Sequence, residues 1–274
     1  MENNNLDYNE YVEIAEGIYW VGFFDEKAGL HCNPYLIVDG EEAVLIDSGS
    51  RNDFSTVMLK IMRTGTDPRN IARLIYQHYD PDLCGNIPHM EAMIGSTDLK
   101  ILSHNENNIF INYYSAKSNK ECIENLGFNY TFKSGRKLLF IRTPYSHSTG
   151  SFVTYDTKTK VLFSSDLFGS YDTDWSLFTS VFEKCADCAP EAVCPETQNA
   201  CQIVGVWDFH RRIMTSTKAL QFALKQIEGL DISIIAPQHG SIFQTPEQCR
   251  IIIERLKTFT GVGIDHFLGE EGSL

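Results

Sequence analysis

The sequence predicts a single α/β domain, and three observations support that prediction. Short apolar runs typical of buried strands alternate with segments of helical spacing along the 274 residues. Hydrophobic residues make up 43% of the chain and aromatic residues 12%, which is enough for a substantial core. The chain shows no internal linker, low-complexity tract or apolar run of the ~20 residues that a membrane helix needs. We therefore expect residues 1–274 to form one domain.

The N-terminal half is predicted to be rich in strands. The Asp39-Gly40 pair is a typical turn between two apolar runs and predicts a hairpin. Asn86 and Pro88 are typical of the cap and first turn of a helix. Strands are expected at 11–23, in the hairpin over 33–47, at 71–76 and at 100–103, and helices at 53–63 and 85–94. From residues 105–135, where the pattern is less clear, we expect one helix and a β excursion.

The C-terminal half continues the alternation. A polar segment at 156–160 predicts a second hairpin, and Gly229 closes the longest predicted helix. Strands are expected at 137–143, 151–155, 161–164 and 231–236, and helices at 208–228 and 246–258. Residues from about 262 to 274 are expected to form a C-terminal tail.

Charge and cysteine content narrow the class of protein. The formal net charge of −13 argues against a nucleic-acid or anionic-membrane partner. The first seven residues lack the basic and apolar regions of a signal peptide, so we expect a cytoplasmic protein with mostly reduced thiols. Eight cysteines in that setting favour metal or redox use over a disulfide framework.

A group of metal-binding side chains follows the strand predicted at 71–76. His78, Asp80 and Asp82 occupy alternate positions, and Pro81 makes the segment a stiff loop rather than a continuing strand. A strand, a ligand-rich loop and a helix form the arrangement by which α/β folds present functional groups. A lone His-x-Asp would more often be a solvated turn, so the interpretation depends on further ligands.

Further ligands follow three later strands. His147 lies in a loop after the strand at 137–143, Asp166 follows 161–164, and His239 follows 231–236. Together with the first group they provide three imidazoles and three carboxylates, enough for two metals bridged by a carboxylate. Hard oxygen ligands mixed with imidazole suit iron or manganese at least as well as zinc.

This order of ligands resembles the metallo-β-lactamase superfamily. The acidic residue at Asp80, where hydrolases of that superfamily usually have a second histidine, is similar to the diiron domain of the flavodiiron proteins. The resemblance covers roughly residues 10–260. It implies an αββα sandwich, in which two mixed β-sheets are flanked by helices and the metals lie at one edge.

The resemblance also implies a ligand set and a cofactor of two iron ions. It assigns His78, Asp80 and His147 to one iron, Asp82 and His239 to the other, Asp166 as the bridge, and Asp47 as a carboxylate that orients a ligand. Two features depart from the flavodiiron pattern. Leu83 stands where the family usually has another histidine, which implies a more open second metal in a more apolar pocket. We also find no flavin-binding loop and expect no FMN in this chain.

Three functions are compatible with this site. The sequence resembles the stand-alone diiron proteins that bind dioxygen, which implies an oxygen or redox sensor linked to signalling such as chemotaxis, with nitric oxide as a second ligand. The alternatives are a dioxygen or nitric oxide reductase with an external electron donor, and a dinuclear zinc hydrolase. Asp80 and Leu83 argue against the hydrolase. The expected partners are a signalling protein or an electron donor, and we also expect a homo-oligomer without a nucleic-acid or membrane partner.

A second cluster of candidate ligands lies in the loop at 185–201. Its four thiols have the spacing C-x2-C-x5-C-x6-C and belong to Cys185, Cys188, Cys194 and Cys201. They predict either a further metal site, with zinc or an iron–sulfur group, or thiols that are free or reversibly oxidised. His31, Cys32 and Tyr79 are expected near the mouth of the diiron site or in packing. Ordinary helix, cap or tail roles are expected for the remaining histidines, which are His89, His104, His210 and His266.

Overall fold

The computed structural model describes residues 6–24, 31–171 and 175–271, and its strands and helices alternate as the sequence predicts. The strands are β1 Val12–Ala15, β2 Ile18–Trp20, β3 Tyr35–Asp39, β4 Glu42–Ile46, β5 Ile71–Ile75, β6 Lys100–Ser103, β7 Asn119–Cys122, β8 Asn129–Thr131, β9 Lys137–Arg142, β10 Phe152–Asp156, β11 Val161–Phe163 and β12 Ile234–Ala236. The helices are α1 Phe54–Arg63, α2 Pro81–Cys84, α3 Ile87–Ile94, α4 Asn105–Ile111, α5 Gln202–Ile213, α6 Thr217–Gln226, α7 Pro246–Lys257 and α8 Ile264–Glu271. None of these described helices combines the length and apolarity that a membrane crossing requires.

The first sheet contains seven strands in the order β1-β2-β3-β4-β5-β6-β7. Strands β1 to β4 pair antiparallel, whereas β4, β5, β6 and β7 pair parallel. The register places Ile46 beside Ile75 and Ile75 beside Leu102. Because parallel strands run in the same direction, the segments that follow β4, β5 and β6 leave the sheet at one edge.

The second sheet contains five strands in the order β12-β11-β10-β9-β8. Strands β8 and β9 pair antiparallel, and β11 and β12 pair parallel with Phe163 beside Ala236. The segments after β11 and β12 therefore also leave their sheet at a common edge. Two mixed sheets accompanied by helices confirm the predicted α/β fold class.

Contacts divide the chain into two compact units that alternate along the sequence. Of the described residues, the first unit comprises 6–24, 31–140 and 154–159, and the second comprises 141–153, 160–171 and 175–271. In the first unit, the apolar face of α1 packs in one core with α3 and the central strands, through Val57, Ile61, Ile87, Met90 and Leu45. In the second unit, α6 contacts α7; α6 contributes buried leucines, and α7 contributes buried isoleucines and a leucine.

Several element boundaries differ from the sequence prediction. The helix predicted at 208–228 is wrong as a single element, since α5 ends at Ile213 and α6 begins at Thr217. Ser216 caps α6 by accepting a hydrogen bond from the Ala219 N–H. No glycine or proline marks this break in the sequence, so the apolar spacing continued across it.

The N-terminal strand and the C-terminal segment also differ from expectation. The strand predicted at 11–23 is a hairpin of β1 and β2, and the turn between them includes Gly17 at a φ of +68°. A Cβ atom there would lie 2.5 Å from the Val38 carbonyl oxygen, so only glycine fits. Helix α8 covers much of the segment expected to be a tail. Asn86 donates to the Ser48 carbonyl instead of capping α3 with its side chain.

Candidate metal centre

In the first unit, the ligand loop leaves the sheet between two neighbouring parallel strands. Asp47 directly follows β4, and its N–H donates to the Ile75 carbonyl at 2.9 Å. The Ser103 hydroxyl, at the end of β6, donates to the Tyr76 carbonyl at 2.6 Å. These bonds fix the backbone just before Gln77 from both neighbouring strands. His78, two residues after Tyr76, is almost fully buried.

The three predicted ligands of this unit, which we call the first cluster (His78, Asp80 and Asp82), have different neighbours. His78 Nε2 lies 3.9 Å from Asp80 Oδ2. Pro81 then begins helix α2, which places Asp82 in its first turn. Asp82 Oδ2 accepts a hydrogen bond from the Cys32 thiol at 3.6 Å. The first cluster is therefore sorted into a His78–Asp80 pair and a separate Asp82 carboxylate.

Cys32 is a site residue whose contact the sequence did not reveal. The residue is buried and pairs through an isolated antiparallel bridge with Phe23. Burial raises the pKa of the Cys32 thiol well above its usual range, and the neighbouring Asp82 carboxylate raises it further. Cys32 is consequently a protonated donor to Asp82 at neutral pH. Fifty residues separate the pair in the sequence, and no spacing rule connects them.

In the second unit, the parallel pairing of β11 and β12 brings two ligand loops together. The Ser164 N–H donates to the Ala236 carbonyl at 3.1 Å, and the Gln238 N–H donates to the Ser165 carbonyl at 2.9 Å. Gly240, directly after His239, has a φ of +88°, and a Cβ atom there would lie 2.2 Å from the Ser170 hydroxyl oxygen. This close approach requires glycine in the His239 loop.

The His147 loop completes what we call the second cluster (His147, Asp166 and His239). Local hydrogen bonds hold this loop, including Tyr145 N–H to the Ser148 carbonyl at 2.7 Å and Ser148 N–H to the Ser151 hydroxyl at 3.0 Å. His147 Nε2 lies 3.0 Å from Asp166 Oδ2, and His239 Nε2 lies 3.7 Å from Asp166 Oδ1. The two oxygens of one buried carboxylate thus face two different imidazoles.

Helix α5 contacts the loops that carry Asp166 and His239. His210 Nε2 accepts a hydrogen bond from the Phe168 N–H at 3.3 Å, and its Nδ1 lies 2.7 Å from the Val206 carbonyl oxygen. Burial lowers the pKa of His210 to about 4, so the ring is neutral and fixes the turn after Asp166. The Phe209 ring lies 5.7 Å from the His239 ring. The sequence pattern identified His210 only as a helix residue.

The other residues singled out from the sequence are also located. Asp47 Oδ1 accepts a hydrogen bond from the Gln77 N–H at 3.5 Å, next to His78. Leu83 is fully buried in the apolar core of the first unit. Tyr79 stacks on Phe110 with ring centroids 4.3 Å apart. As predicted, one remaining histidine has a cap role, since His104 Nδ1 accepts from the Glu106 N–H at the start of α4.

The donors present in the two clusters fit iron. Each cluster combines imidazole with carboxylate and contains no thiolate. This mixture suits non-haem iron and manganese, whereas thiolate ligands suit softer metals. A carboxylate with one oxygen toward each of two imidazoles is the arrangement that a metal-bridging ligand requires.

The fold and the nature of these ligands define a metallo-β-lactamase-like protein of the type found in flavodiiron proteins. A sequence model of the family described as "ODP family beta lactamase" matches residues 30–240, and the chain belongs to this family. The predicted family resemblance and the predicted fold are thereby confirmed.

Solved structures of an ODP protein are similar over nearly their whole length. The structure titled "Peroxy diiron species of chemotaxis sensor ODP" is 26% identical, with a TM-score of 0.73, and the match covers 92% of this chain and 94% of that chain. The apo state of the chemotaxis sensor ODP from T. denticola is 25% identical, with a TM-score of 0.71 and coverage of 92% and 99%.

Longer relatives match only in part. The anaerobic nitric oxide reductase flavorubredoxin of Aeromonas salmonicida is 25% identical over 261 residues, which cover 90% of this chain and 46% of that protein. The chain spans 59, 35 and 46% of the first three curated relatives that it matches.

Proposed function

We propose that the first and second clusters together hold two iron ions. His78, Asp80 and His147 bind one iron, Asp82 and His239 bind the other, and Asp166 bridges them. Asp47 supports the backbone beside His78. The assignment follows the contacts within each unit. In the first cluster, His78 lies next to Asp80, whereas Asp82 contacts Cys32. In the second cluster, His147 and His239 face different oxygens of Asp166.

The observation that carries this proposal is the orientation of Asp166. Its Oδ2 lies 3.0 Å from His147 Nε2 and its Oδ1 lies 3.7 Å from His239 Nε2. Buried carboxylate oxygens need polar partners, and here the two oxygens face two different histidines. A carboxylate whose two oxygens face two different imidazoles is expected when each oxygen binds a separate cation.

We infer that the iron pair binds dioxygen, or nitric oxide, and that the protein is an oxygen or redox sensor. When bound by these side chains, a pair of ferrous ions would supply the electrons for the reduction of such a ligand. Family membership and the similarity to the chemotaxis sensor ODP over 94% of that chain support the sensor function. We further propose that a signalling protein receives the response and that the protein forms a homo-oligomer.

The side chains of this protein have identifiable tasks in such a site. The Cys32 thiol donates to Asp82 and thereby fixes the orientation of that carboxylate. Leu83 places an apolar side chain in the core at the position where related proteins supply another imidazole, which leaves the second iron with fewer protein ligands. Neutral His210 and the Phe209 ring hold the Asp166 and His239 loops.

Exposure of the anaerobic ferrous protein to air tests this function. The expected result is a new visible absorption band together with the uptake of about one dioxygen for each iron pair. Parallel addition of nitric oxide tests the second ligand in the same way. Suppose that protein with two irons per chain gives no new band and takes up no dioxygen. This result would contradict the function but leave the metal assignment intact.

The second candidate is a dioxygen or nitric oxide reductase that uses an external electron donor. The similarity to the Aeromonas flavorubredoxin, whose name includes nitric oxide reductase activity, favours it. Continuous consumption of either gas in the presence of a reduced rubredoxin or flavoprotein would support the reductase. A response that stops after a single turnover favours the sensor.

A further inference from the structure

Three of the four cysteines in the segment at 185–201 line one small cavity in the second unit. Cys185, Cys194 and Cys201 line this cavity of about 20 Å³, together with Thr197 and Phe182. That volume accommodates a single water-sized particle. Cys188 follows in the same turn as Cys185, with its sulfur 3.8 Å from the Cys185 carbonyl oxygen. All four cysteines are free thiols.

A short hairpin directs two of the thiols to the same side. Val193 pairs antiparallel with Ala200, the Cys194 N–H donates to the Asn199 carbonyl at 2.8 Å, and the Cys201 N–H donates to the Ala192 carbonyl at 3.1 Å. Side chains alternate between the two faces of such a pair, so Cys194 and Cys201 share one face as diagonal neighbours. A diagonal pair is wider than a disulfide but within the reach of a shared ion.

The C-x-x-C segment is anchored separately and contributes Cys185 to the lining of the same cavity. A 3-10 helix covers Glu183–Ala186, and the Cys188 N–H donates to the Lys184 carbonyl at 3.2 Å. Arg255 of α7 donates to the Ala186 and Cys188 carbonyls at 3.3 and 3.0 Å. The turn that carries both thiols is therefore attached to the body of the second unit.

The other three thiols of the segment contribute to the electrostatic surroundings of Cys185. Burial raises the pKa of Cys185, and its neighbours Cys188, Cys194 and Cys201 raise it further. Hydrogen bonds from the Thr197 side chain and backbone lower the pKa of Cys194. An ion pair of 2.8 Å between Lys184 and Glu196 joins the two thiol-bearing segments. Mutual repulsion of four thiolates in this space would be relieved by a bound cation.

We propose that Cys185, Cys188, Cys194 and Cys201 bind one zinc ion as a tetrahedral thiolate site. Four soft sulfur ligands without imidazole or carboxylate select a tetrahedral metal of this kind. Zinc displaces the protons of the thiols as it binds, so the reaction releases protons and involves no electron transfer. In the described chain no three of these sulfurs lie within 4.8 Å of one another, so the loop contracts around the ion.

The zinc site would stabilise the loop from which α5 begins. Cys201 is the N-terminal cap residue of α5, and the same helix carries Phe209 and His210 against the second cluster. Contraction of the loop around zinc fixes the start of this supporting helix. The proposal does not depend on iron, since the zinc ligands are distinct from the six proposed iron ligands.

Metal analysis of the reduced full-length protein, purified in the presence of zinc, tests the proposal. We expect one zinc per chain in the wild type and a loss of that zinc in a Cys185→Ser/Cys188→Ser variant, with iron content unchanged. Cys249→Ser is the matched control, because Cys249 is buried in the same unit with its sulfur 3.6 Å from a carbonyl oxygen. It should retain the full zinc content.

Two measurements on the wild type keep the test decisive if the double variant fails to fold. Cobalt should replace zinc and give intense thiolate-to-metal charge-transfer absorption. Titration with an organomercurial reagent should release zinc in step with the modification of four thiols. Absence of bound zinc or cobalt under reducing conditions would overturn the proposal. So would zinc retained in a folded double variant, or iron in place of zinc at these thiols.

Discussion

Asp166 shows how the position of a candidate ligand can be predicted from its sequence context, whereas the side chains that support such ligands cannot. An acidic residue directly after an apolar run predicted a ligand at a strand end, and β11 ends three residues before it. The same reasoning located His78 and His239 at strand ends. This reasoning did not identify the contacts of Cys32 and His210, because each residue contacts another that is remote in sequence. Such contacts depend on tertiary packing, which local patterns do not encode.

The hydrogen bond from Cys32 to Asp82 gives a prediction at this scale. Cys32→Ala removes the donor that orients the carboxylate, so we expect the second iron to bind roughly tenfold more weakly. Competition with a ferrous chelator measures this affinity. Cys249→Ala, which removes another buried thiol with a carbonyl contact, should leave it unchanged. Equal affinities in both variants would argue against a positioning role for Cys32.

At the scale of elements, strands were predicted more reliably than the helical region after residue 200. The hairpin of β3 and β4 turns at Gly40 and Glu41, one residue beyond the predicted Asp39-Gly40 pair. Gly40 adopts a φ of +64°, which favours glycine. The break between α5 and α6 was missed because the apolar spacing continues across it. There the chain turns at an extended Met214 and restarts at a serine cap, and neither signal is strong in sequence.

The serine cap of α6 makes this explanation testable. Ser216→Ala removes the acceptor for the Ala219 N–H and should lower the free energy of unfolding by about 1 kcal/mol. Urea denaturation measures the change. Ser55→Ala, on the exposed side of α1, should leave the unfolding midpoint nearly unchanged. A Ser216 variant as stable as the wild type would show that α6 does not need this cap.

At the scale of the whole molecule, fold class was predictable because it depends on the order of many elements rather than on any single boundary. The alternation of the two units along the chain was not predictable, since it arises from contacts between distant segments. The units alternate along the chain, and β10 is divided between them. We propose that residues 1–274 behave as one domain. Coincident denaturation curves from tryptophan fluorescence and circular dichroism are expected, whereas two separated transitions would contradict this.

A buried ion pair in the first unit predicts how stability depends on pH. Arg136 donates to both oxygens of Asp156, at 3.0 and 2.8 Å. Burial raises the pKa of Asp156, but hydrogen bonds from Arg136 and Thr159 outweigh burial and lower it overall. A lowered pKa in the folded state stabilises the protein above the unfolded value of about 3.9, and this stabilisation is lost as the pH falls through the folded pKa.

Asp156→Asn tests this dependence in the iron-free protein. The variant should be less stable than the wild type by about 3 kcal/mol at neutral pH, because Arg136 keeps a buried charge without its counter-charge. The difference should shrink as the pH falls below about 4. Urea denaturation at several pH values measures it. A difference that stays constant down to acidic pH would rule out the ionised carboxylate as its cause.

Mössbauer spectroscopy of the air-oxidised protein, combined with its iron content, tests the central claim of a carboxylate-bridged iron pair most directly. The account predicts two magnetically coupled irons per chain in the wild type. It also predicts loss of that coupling in Asp166→Asn, since an amide offers one oxygen where the bridge needs two. One iron per chain, or two uncoupled irons in the wild type, would contradict the account.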